Sequence, residues 1–351
     1  MEREARLVGD GTPFGALVAA IRDLRRPKHD EVDPVPGDVR IGGKTCLVTG
    51  ANSGLGKAAA VELARRGGSV LLACRPGHGG CRDDVARLSG SSAVEMMEVD
   101  LADLVSVHRF CDLLKARGVR LDVALMNAGL MPPRARKSAQ GYEMMFAVHF
   151  LSSRVMIDRW VQDGVIRPSG RAGETPRIVF VTSEAHRSSH VVDFARLGEF
   201  TDYRTKESLK YYGISKQLLC MYATELSRRL NPGDSVEVAV HAMCPGGIAS
   251  NIARDAPALL KPIVDPLMRH FLQSPEEAMG PAIYLCCAEE AGGATGIYLH
   301  LMQRKSVLPA AADPENGARL WEASEDLVAK SRERRERSDD RVGTREKPRE
   351  A

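Results

Sequence analysis

Thr49-Gly50-Ala51-Asn52-Ser53-Gly54-Leu55-Gly56 joins a short apolar run, Lys44 to Val48, to a helix-like run, Lys57 to Arg66. Glycines at such a junction have separate physical tasks. One lets the chain turn sharply off the strand, another lets a pyrophosphate approach the bare backbone, and a third lets helix and strand pack closely. The helix that follows offers unpaired N–H groups and the positive end of its dipole to phosphate oxygens. The strand–turn–helix context separates this stretch from an ordinary glycine-rich turn. It also differs from a mononucleotide P-loop. Five residues rather than four lie between Gly50 and Gly56, and Ala58 stands where a magnesium-binding Ser or Thr is needed. The stretch reads as a dinucleotide-binding turn, with Gly50, Asn52, Ser53, Gly54, Leu55 and Gly56 around the ligand.

From Gly43 onward, strand-like and helix-like runs alternate. The strands read as Lys44–Thr49, Ser69–Cys74, Ala93–Val99, Leu121–Met126, Arg177–Thr182, Val236–Met243 and Gly296–Leu301. The helices read as Leu55–Arg66, Leu104–Arg117, Tyr142–Gln162, Tyr212–Leu230 and Pro275–Cys287. The strands are near-continuous apolar runs, as expected when both faces of a parallel sheet are buried. The expected fold is α/β: a Rossmann-type doubly wound parallel sheet of three layers in a single domain. Residues 1–40 read as an extension, 41–310 as the dinucleotide-binding domain, 311–329 as a helix packed on it and 330–351 as a disordered charged tail.

The net charge of +3 in 351 residues gives no reason to expect a nucleic-acid partner. No stretch approaches the length of a membrane span. The apolar patch Phe14 to Ile21 either packs or touches a membrane surface. Eight cysteines lie scattered without framework spacing, and no secretory pattern opens the chain. A cytoplasmic location follows, or a peripheral one on an intracellular membrane.

The second strand ends at Cys74-Arg75. A carboxylate near this place would accept from a ribose 2′-hydroxyl and repel a 2′-phosphate. A guanidinium does the reverse, and Lys57 adds a second positive charge. NADP(H) is therefore expected over NAD(H), although a lone Arg after a strand is also an ordinary solvated cap. Asp100, with Leu101 beside it, either meets the adenine edge or caps the next helix.

Tyr212 and Lys216 lie four apart and share a helix face. An ammonium beside a phenol favours phenolate, which suits Tyr212 to general acid/base work on a carbonyl–alcohol pair. Tyr211 is the rival, but its partner four residues on is the uncharged Ser215. Ser183, at a strand's carboxyl end, can hydrogen-bond a substrate oxygen. Asn127-Ala128-Gly129 ends the fourth strand, where the Asn side chain would hold neighbouring backbone beside the cofactor. Cys244-Pro245-Gly246-Gly247-Ile248 forms another tight turn near the nicotinamide.

These motifs, in this order, resemble the short-chain dehydrogenase/reductase family over roughly Ile41 to Leu301. Leu72-Ala73-Cys74-Arg75, Gly141-Tyr142-Glu143-Met144, the insertion after Ser183 and Leu320-Trp321-Glu322 are most similar to its retinol dehydrogenase-like group. The resemblance implies an enzyme that passes hydride directly between nicotinamide and substrate carbon, with no metal. Tyr212 would be the acid/base, Lys216 would lower its pKa and bind the nicotinamide ribose, and Ser183 would hold the carbonyl oxygen. Gly50, Ser53, Gly54, Leu55 and Gly56 would line the pyrophosphate. Pro245 and Gly246 would lie by the nicotinamide, whose carboxamide would meet the Ile248 backbone. A homodimer through Tyr142–Gln162 and Tyr212–Leu230 is also implied. His149 stands where the family usually has an Asn that anchors a water of a proton relay. It either joins that relay or is a buried histidine without catalytic duty.

Two long loops, Glu184 to Lys210 and Asn251 to Ser274, fall where ligands bind in such folds. The second is rich in apolar residues from Leu259 to Leu272. It suits a lid over a hydrophobic alcohol or carbonyl compound (retinoid-, steroid- or lipid-aldehyde-like), or equally an interface patch. His186 and His190 lack a third ligand, so no metal site is expected. The rival function is an NADP(H)-binding sensor or scaffold without turnover.

Overall fold

One eight-stranded sheet gathers these runs in the computed structural model, which describes residues 30–169, 173–188, 191–247 and 273–345. The first half comprises β1 (Thr45–Thr49), α1 (Gly54–Arg65), β2 (Ser69–Cys74), α2 (Gly80–Ser89), β3 (Val94–Glu98) and α3 (Leu104–Ala116). The second comprises β4 (Val123–Met126), a π-helical stretch (Phe146–Leu151) running into α4 (Ser152–Gln162), β5 (Arg177–Val181), α5 (Thr205–Arg229) and β6 (Ala239–Cys244). There follow α6 (Pro275–Ala278), α7 (Gly280–Cys287), α8 (Glu289–Gly292), β7 (Tyr298–His300), β8 (Gln303–Arg304), α9 (Pro309–Ala312) and α10 (Pro314–Arg345).

The strand order is β3-β2-β1-β4-β5-β6-β7-β8, parallel throughout except for β8. The order reverses between β1 and β4, and in register Val48 pairs Leu72 on one side and Leu125 on the other. Each strand is buried on both faces because its residues alternate between two cores. Leu47 packs with Val107, Phe110, Phe150 and Leu219 beneath α3, α4 and α5. Its neighbours Cys46 and Val48 pack with Leu55, Leu63 and Leu285 beneath α1 and α7. The expected three layers are thus present.

Several elements differ from the sequence reading. α5 starts at Thr205, not Tyr212, because the Glu207 carboxylate accepts from the Arg204 N–H and caps an earlier turn. The loop expected over Glu184–Lys210 is shortened accordingly and carries two 3-10 turns, Glu184–Arg187 and Phe194–Arg196. The helix expected over Pro275–Cys287 divides at Met279, ahead of Pro281. The patch Phe14–Ile21, His190, Ile248 and the apolar stretch Leu259–Leu272 lie outside the described residues.

The largest correction concerns the tail. Residues 330–345 are helical, continuing α10 rather than forming a disordered segment. Polar anchors hold them. The Ser331 hydroxyl lies 2.8 Å from His108 Nε2, Arg332 pairs with Asp158 at 2.6 Å, and Arg335 pairs with Asp112 at 3.2 Å. The charges that argue against order in isolation meet carboxylates of α3 and α4 far away in sequence. Upstream on the same helix, Leu320, Leu327 and Val328 are buried. The Trp321 indole lies between two guanidiniums, Arg154 at 3.9 Å and Arg229 at 4.2 Å from the ring centroid. α10 therefore covers part of the α4–α5 surface through which the resemblance implied a homodimer.

Candidate active site

The turn after β1 has the close packing its glycines imply. Gly50 has φ +67°, and a Cβ there would come 3.0 Å from Ala128 Cα. A Cβ on Gly56 would collide with Asn127 Nδ2 and the Gly50 carbonyl. Asn127 Nδ2 donates to the Thr49 carbonyl at 2.8 Å, and the Asn127 and Ala128 N–H groups donate to Thr49 Oγ1 at 2.9 and 3.0 Å. The ends of β1 and β4 are thereby laced together at the point where the strand order reverses, the usual ligand crevice of such sheets. Ser53 enters α1 in extended conformation without capping it, and the first turn of α1 has no acidic residue. Its leading N–H groups are not engaged by a side-chain cap, as anion binding requires.

Arg75 is exposed at the end of β2, with no hydrogen bond or ion pair among the described residues. Lys57 differs from expectation. Its ammonium is held at 2.6 Å by Asp84 of α2, so its charge is locally offset. Asp100 does not cap α3; Asp103 does, by accepting from the Val105 N–H at 3.0 Å. Asp100 Oδ1 instead accepts from the Ala102 N–H at 2.9 Å. The Leu101 side chain is buried in the core, leaving only its backbone for a ligand.

Tyr212 and Lys216 share one face of α5 as spaced. Lys216 Nζ lies 5.6 Å from the Tyr212 ring centroid and donates to the Val181 carbonyl at 2.9 Å. Ser183 follows β5 with Thr182 between; its Oγ accepts from the Ala185 N–H at 3.2 Å and lies near enough to the Tyr212 phenol to lower its pKa. Phenol, hydroxyl and ammonium thus converge at the carboxyl end of the sheet. Their proton affinities correct the sequence reading. Burial above all, and Cys244 after it, push the Tyr212 phenol up to about 12, with Ser183 partly opposing them. The Lys216 ammonium is not among the groups that move it. Burial also lowers Lys216, to about 8. Desolvation dominates both groups.

His149 lies inside the π-helical stretch, fully buried. The widened turn is stabilised by hydroxyls that take its carbonyls: Ser152 Oγ donates to the Val148 oxygen at 2.9 Å and Ser153 Oγ to the His149 oxygen at 3.0 Å. The imidazole Nε2 accepts from the Leu130 N–H at 3.0 Å. Nδ1 lies 2.8 Å from Ser215 Oγ, whose proton goes to the Tyr212 carbonyl at 2.8 Å. Only the neutral Nδ1–H tautomer satisfies all three bonds. Burial and the nearby Lys216 charge hold its pKa well below the usual histidine value. The ring and Lys216 Nζ flank Gly129, where a Cβ would come 3.3 Å from Nε2 and 3.7 Å from Nζ. A relay through His149 therefore requires one of these bonds to break. Nitrogen-15 NMR is expected to show the Nδ1–H tautomer unchanged through the neutral range; an imidazolium signal there would contradict this arrangement.

On the far side, Gly246 has φ +80° and its N–H points at Cys244 Sγ, 3.4 Å away. Cys244 Sγ also accepts from the Glu184 N–H at 3.3 Å, so one thiol joins the turn after β6 to the residue after Ser183. Pro245 and Gly246 border the crevice. A cavity of about 220 Å³ lies instead on the outer flank of α5, lined by Phe146, Val192, Leu197, Tyr211, Ile214 and Ser215 among others, and Tyr212 does not line it. Cys244 was expected in the turn beside the nicotinamide, but Leu130, Ser215 and Glu184 were not legible as site-builders. Leu130 with His149, Ser215 with His149 and Glu184 with Cys244 meet across 19, 66 and 60 residues.

Residues 44–193 match a family model described as short chain dehydrogenase. The chain is 30% identical to retinol dehydrogenase 14 of Mus musculus over 335 residues, covering 90% of this chain and 94% of that protein. It is 33% identical to retinol dehydrogenase 13 of Homo sapiens over 305 residues, covering 84% and 87%. Among solved structures, an uncharacterized protein from Mycobacterium Paratuberculosis superposes with a TM-score of 0.62 at 25% identity, covering 85% of this chain and 98% of that one.

Proposed function

Since this chain belongs to the short-chain dehydrogenase/reductase family, whose members are oxidoreductases of CH–OH groups, we propose that it interconverts a hydrophobic alcohol and its carbonyl with NADP(H). The observation that carries this reading is the convergence of Ser183, Tyr212 and Lys216 at the crevice where the glycine turn offers its backbone. The residues fit such a cofactor: a Cβ-intolerant turn, a helix start without a side-chain cap, and an exposed Arg75 guanidinium without a partner among the described residues. Gly50, Ser53, Gly54, Leu55 and Gly56 would hold the pyrophosphate, and Arg75 a 2′-phosphate. Lys216 would hold the ribose, and Asp100 the adenine edge. NADP(H), when bound, supplies the hydride.

The chain's own groups handle the proton. Ser183 Oγ holds the substrate oxygen, and Tyr212 Oη delivers its proton to that oxygen during reduction. A phenol raised to about 12 is protonated at neutral pH, the form reduction requires. Oxidation needs phenolate and should quicken as pH rises. Retinol, in the names of the two relatives, is an apolar alcohol, consistent with a hydrophobic substrate. A panel of apolar aldehydes and ketones, read by NADPH consumption, tests the reading. NADPH binding with no consumption across the panel would favour the sensor alternative.

Arg75 tests the cofactor choice. Arg75→Glu removes a charge-assisted bond to a 2′-phosphate and adds repulsion, so NADPH affinity should fall roughly tenfold to a hundredfold. NADH affinity should hold. Fluorescence titration reads both, and a wild-type protein that binds NADH more tightly than NADPH would overturn the choice.

A further inference from the structure

His186 was set aside in the sequence as half of an incomplete metal pair, yet its surroundings are specific. It lies on the 3-10 turn after Ser183 with 0% of its surface exposed. Its Nδ1 is 2.7 Å from the Ser183 carbonyl oxygen, and its own backbone N–H reaches the same oxygen at 3.0 Å. Its Nε2 accepts from the Leu308 N–H at 3.1 Å, between β8 and α9. These partners fix a neutral ring with the proton on Nδ1. The ring also meets Tyr298 edge-on at 5.3 Å between centroids, and the Tyr298 hydroxyl donates to Glu184 Oε1 at 2.7 Å. An apolar side chain could fill this space without the cost of burying two ring nitrogens. That cost is offset only by the two bonds the ring makes.

We propose that His186 is a positioning residue for Ser183: its ring ties the Ser183 carbonyl to the Leu308 amide and so sets the direction in which Ser183 Oγ meets the Tyr212 phenol. Ser183 is extended, with φ −158° and ψ 148°. Clamping its carbonyl fixes ψ, and the N–H of the same peptide, that of Glu184, is held by Cys244 Sγ. The side chain then leaves a backbone that cannot swing. A displacement of about 1 Å at a reacting group costs on the order of a hundredfold in rate. This inference rests on the proposed role of Ser183 in carbonyl reduction.

The test is a double-mutant cycle with kinetics. His186→Phe should lower kcat about tenfold to a hundredfold, with the KM for NADPH essentially unchanged. In a Ser183→Ala background the same change should cost almost nothing further. His186→Asn, whose amide can replace Nδ1 but whose oxygen falls short of the Nε2 position, should recover part of the loss. Leu308→Pro removes the N–H bonded to Nε2, at a φ of −53° that proline accepts, together with a leucine side chain packed on the core; beside a Leu308→Ala control that keeps the N–H, it should lower kcat in the same direction. The primary isotope effect with 4-deuterated NADPH should grow in His186→Phe as chemistry becomes slower. Unchanged kcat in His186→Phe, no rescue by Asn, or full additivity with Ser183→Ala would overturn the proposal. If the wild type binds NADPH yet turns over no carbonyl, the enzyme reading fails first and this role falls with it.

Discussion

Tyr212→Phe should abolish carbonyl reduction for practical purposes, lowering kcat roughly a thousandfold, within the range a positioned acid contributes. NADPH affinity should change little, because phenylalanine keeps the ring edge that meets His149 at 5.8 Å between centroids. Only the hydroxyl and its Ser183 bond are lost. Tyr211→Phe, one position away and stacked on Tyr203 at 4.6 Å, is the matched control and should leave kcat near wild type. The pH profile gives the prediction its sign. The phenol, raised to about 12, stays protonated across neutral pH, so reduction should be flat there. Lys216, lowered to about 8, loses its charge as pH passes that value. Oxidation, which needs phenolate, should therefore still be rising with pH where Lys216 titrates. Full activity in Tyr212→Phe would remove the acid from the mechanism and the reading with it.

Much of this arrangement was legible before any coordinates. β2 begins and ends where expected because Val70, Leu71, Leu72, Ala73 and Cys74 are all buried, so no polar position blurs its edge. Tyr212 and Lys216 meet because helical spacing alone places residues four apart on one face. Asn127 braces the turn because both of its neighbours are strand ends. What could not be read depends on distant partners. α2 has only Cys81 and Val85 buried, too few to stand out as a periodic stripe. His186 is explained by Leu308, and His149 by Leu130 and Ser215, none of which a local pattern signals. The proton affinity of Tyr212 was misjudged because a sequence shows the adjacent charge but not the burial that opposes it.

Deleting residues 314–351 should destabilise the protein severely while leaving the catalytic groups in place. α10 contributes Leu320, Trp321, Leu327 and Val328 to the surface of α3, α4 and α5. Burying apolar side chains of this size stabilises by about 1.5–3 kcal/mol each. Their sum is comparable to the roughly 5–15 kcal/mol by which native domains are stable at all. The loss is compounded by buried polar groups that are uncovered or lose a hydrogen bond. Arg154 is 2% exposed, its Nε has no hydrogen-bond partner among the described residues, and Trp321 covers its guanidinium. His108, whose pKa burial lowers to about 4, loses the Ser331 hydroxyl. The melting temperature should therefore drop by at least about 10 °C. Trp321→Ala, which keeps the helix, should show a smaller part of the same loss. At Gly317 α10 comes so near α5 that a Cβ would lie 2.8 Å from Glu225 Oε2, so the helix occupies the face a second copy would need. Light scattering should accordingly find the intact chain unassociated through α4 and α5, and the truncated chain self-associating over the uncovered face. A truncated protein that melts within a few degrees of the full chain and stays unassociated would mean that α10 rests on this surface without stabilising it.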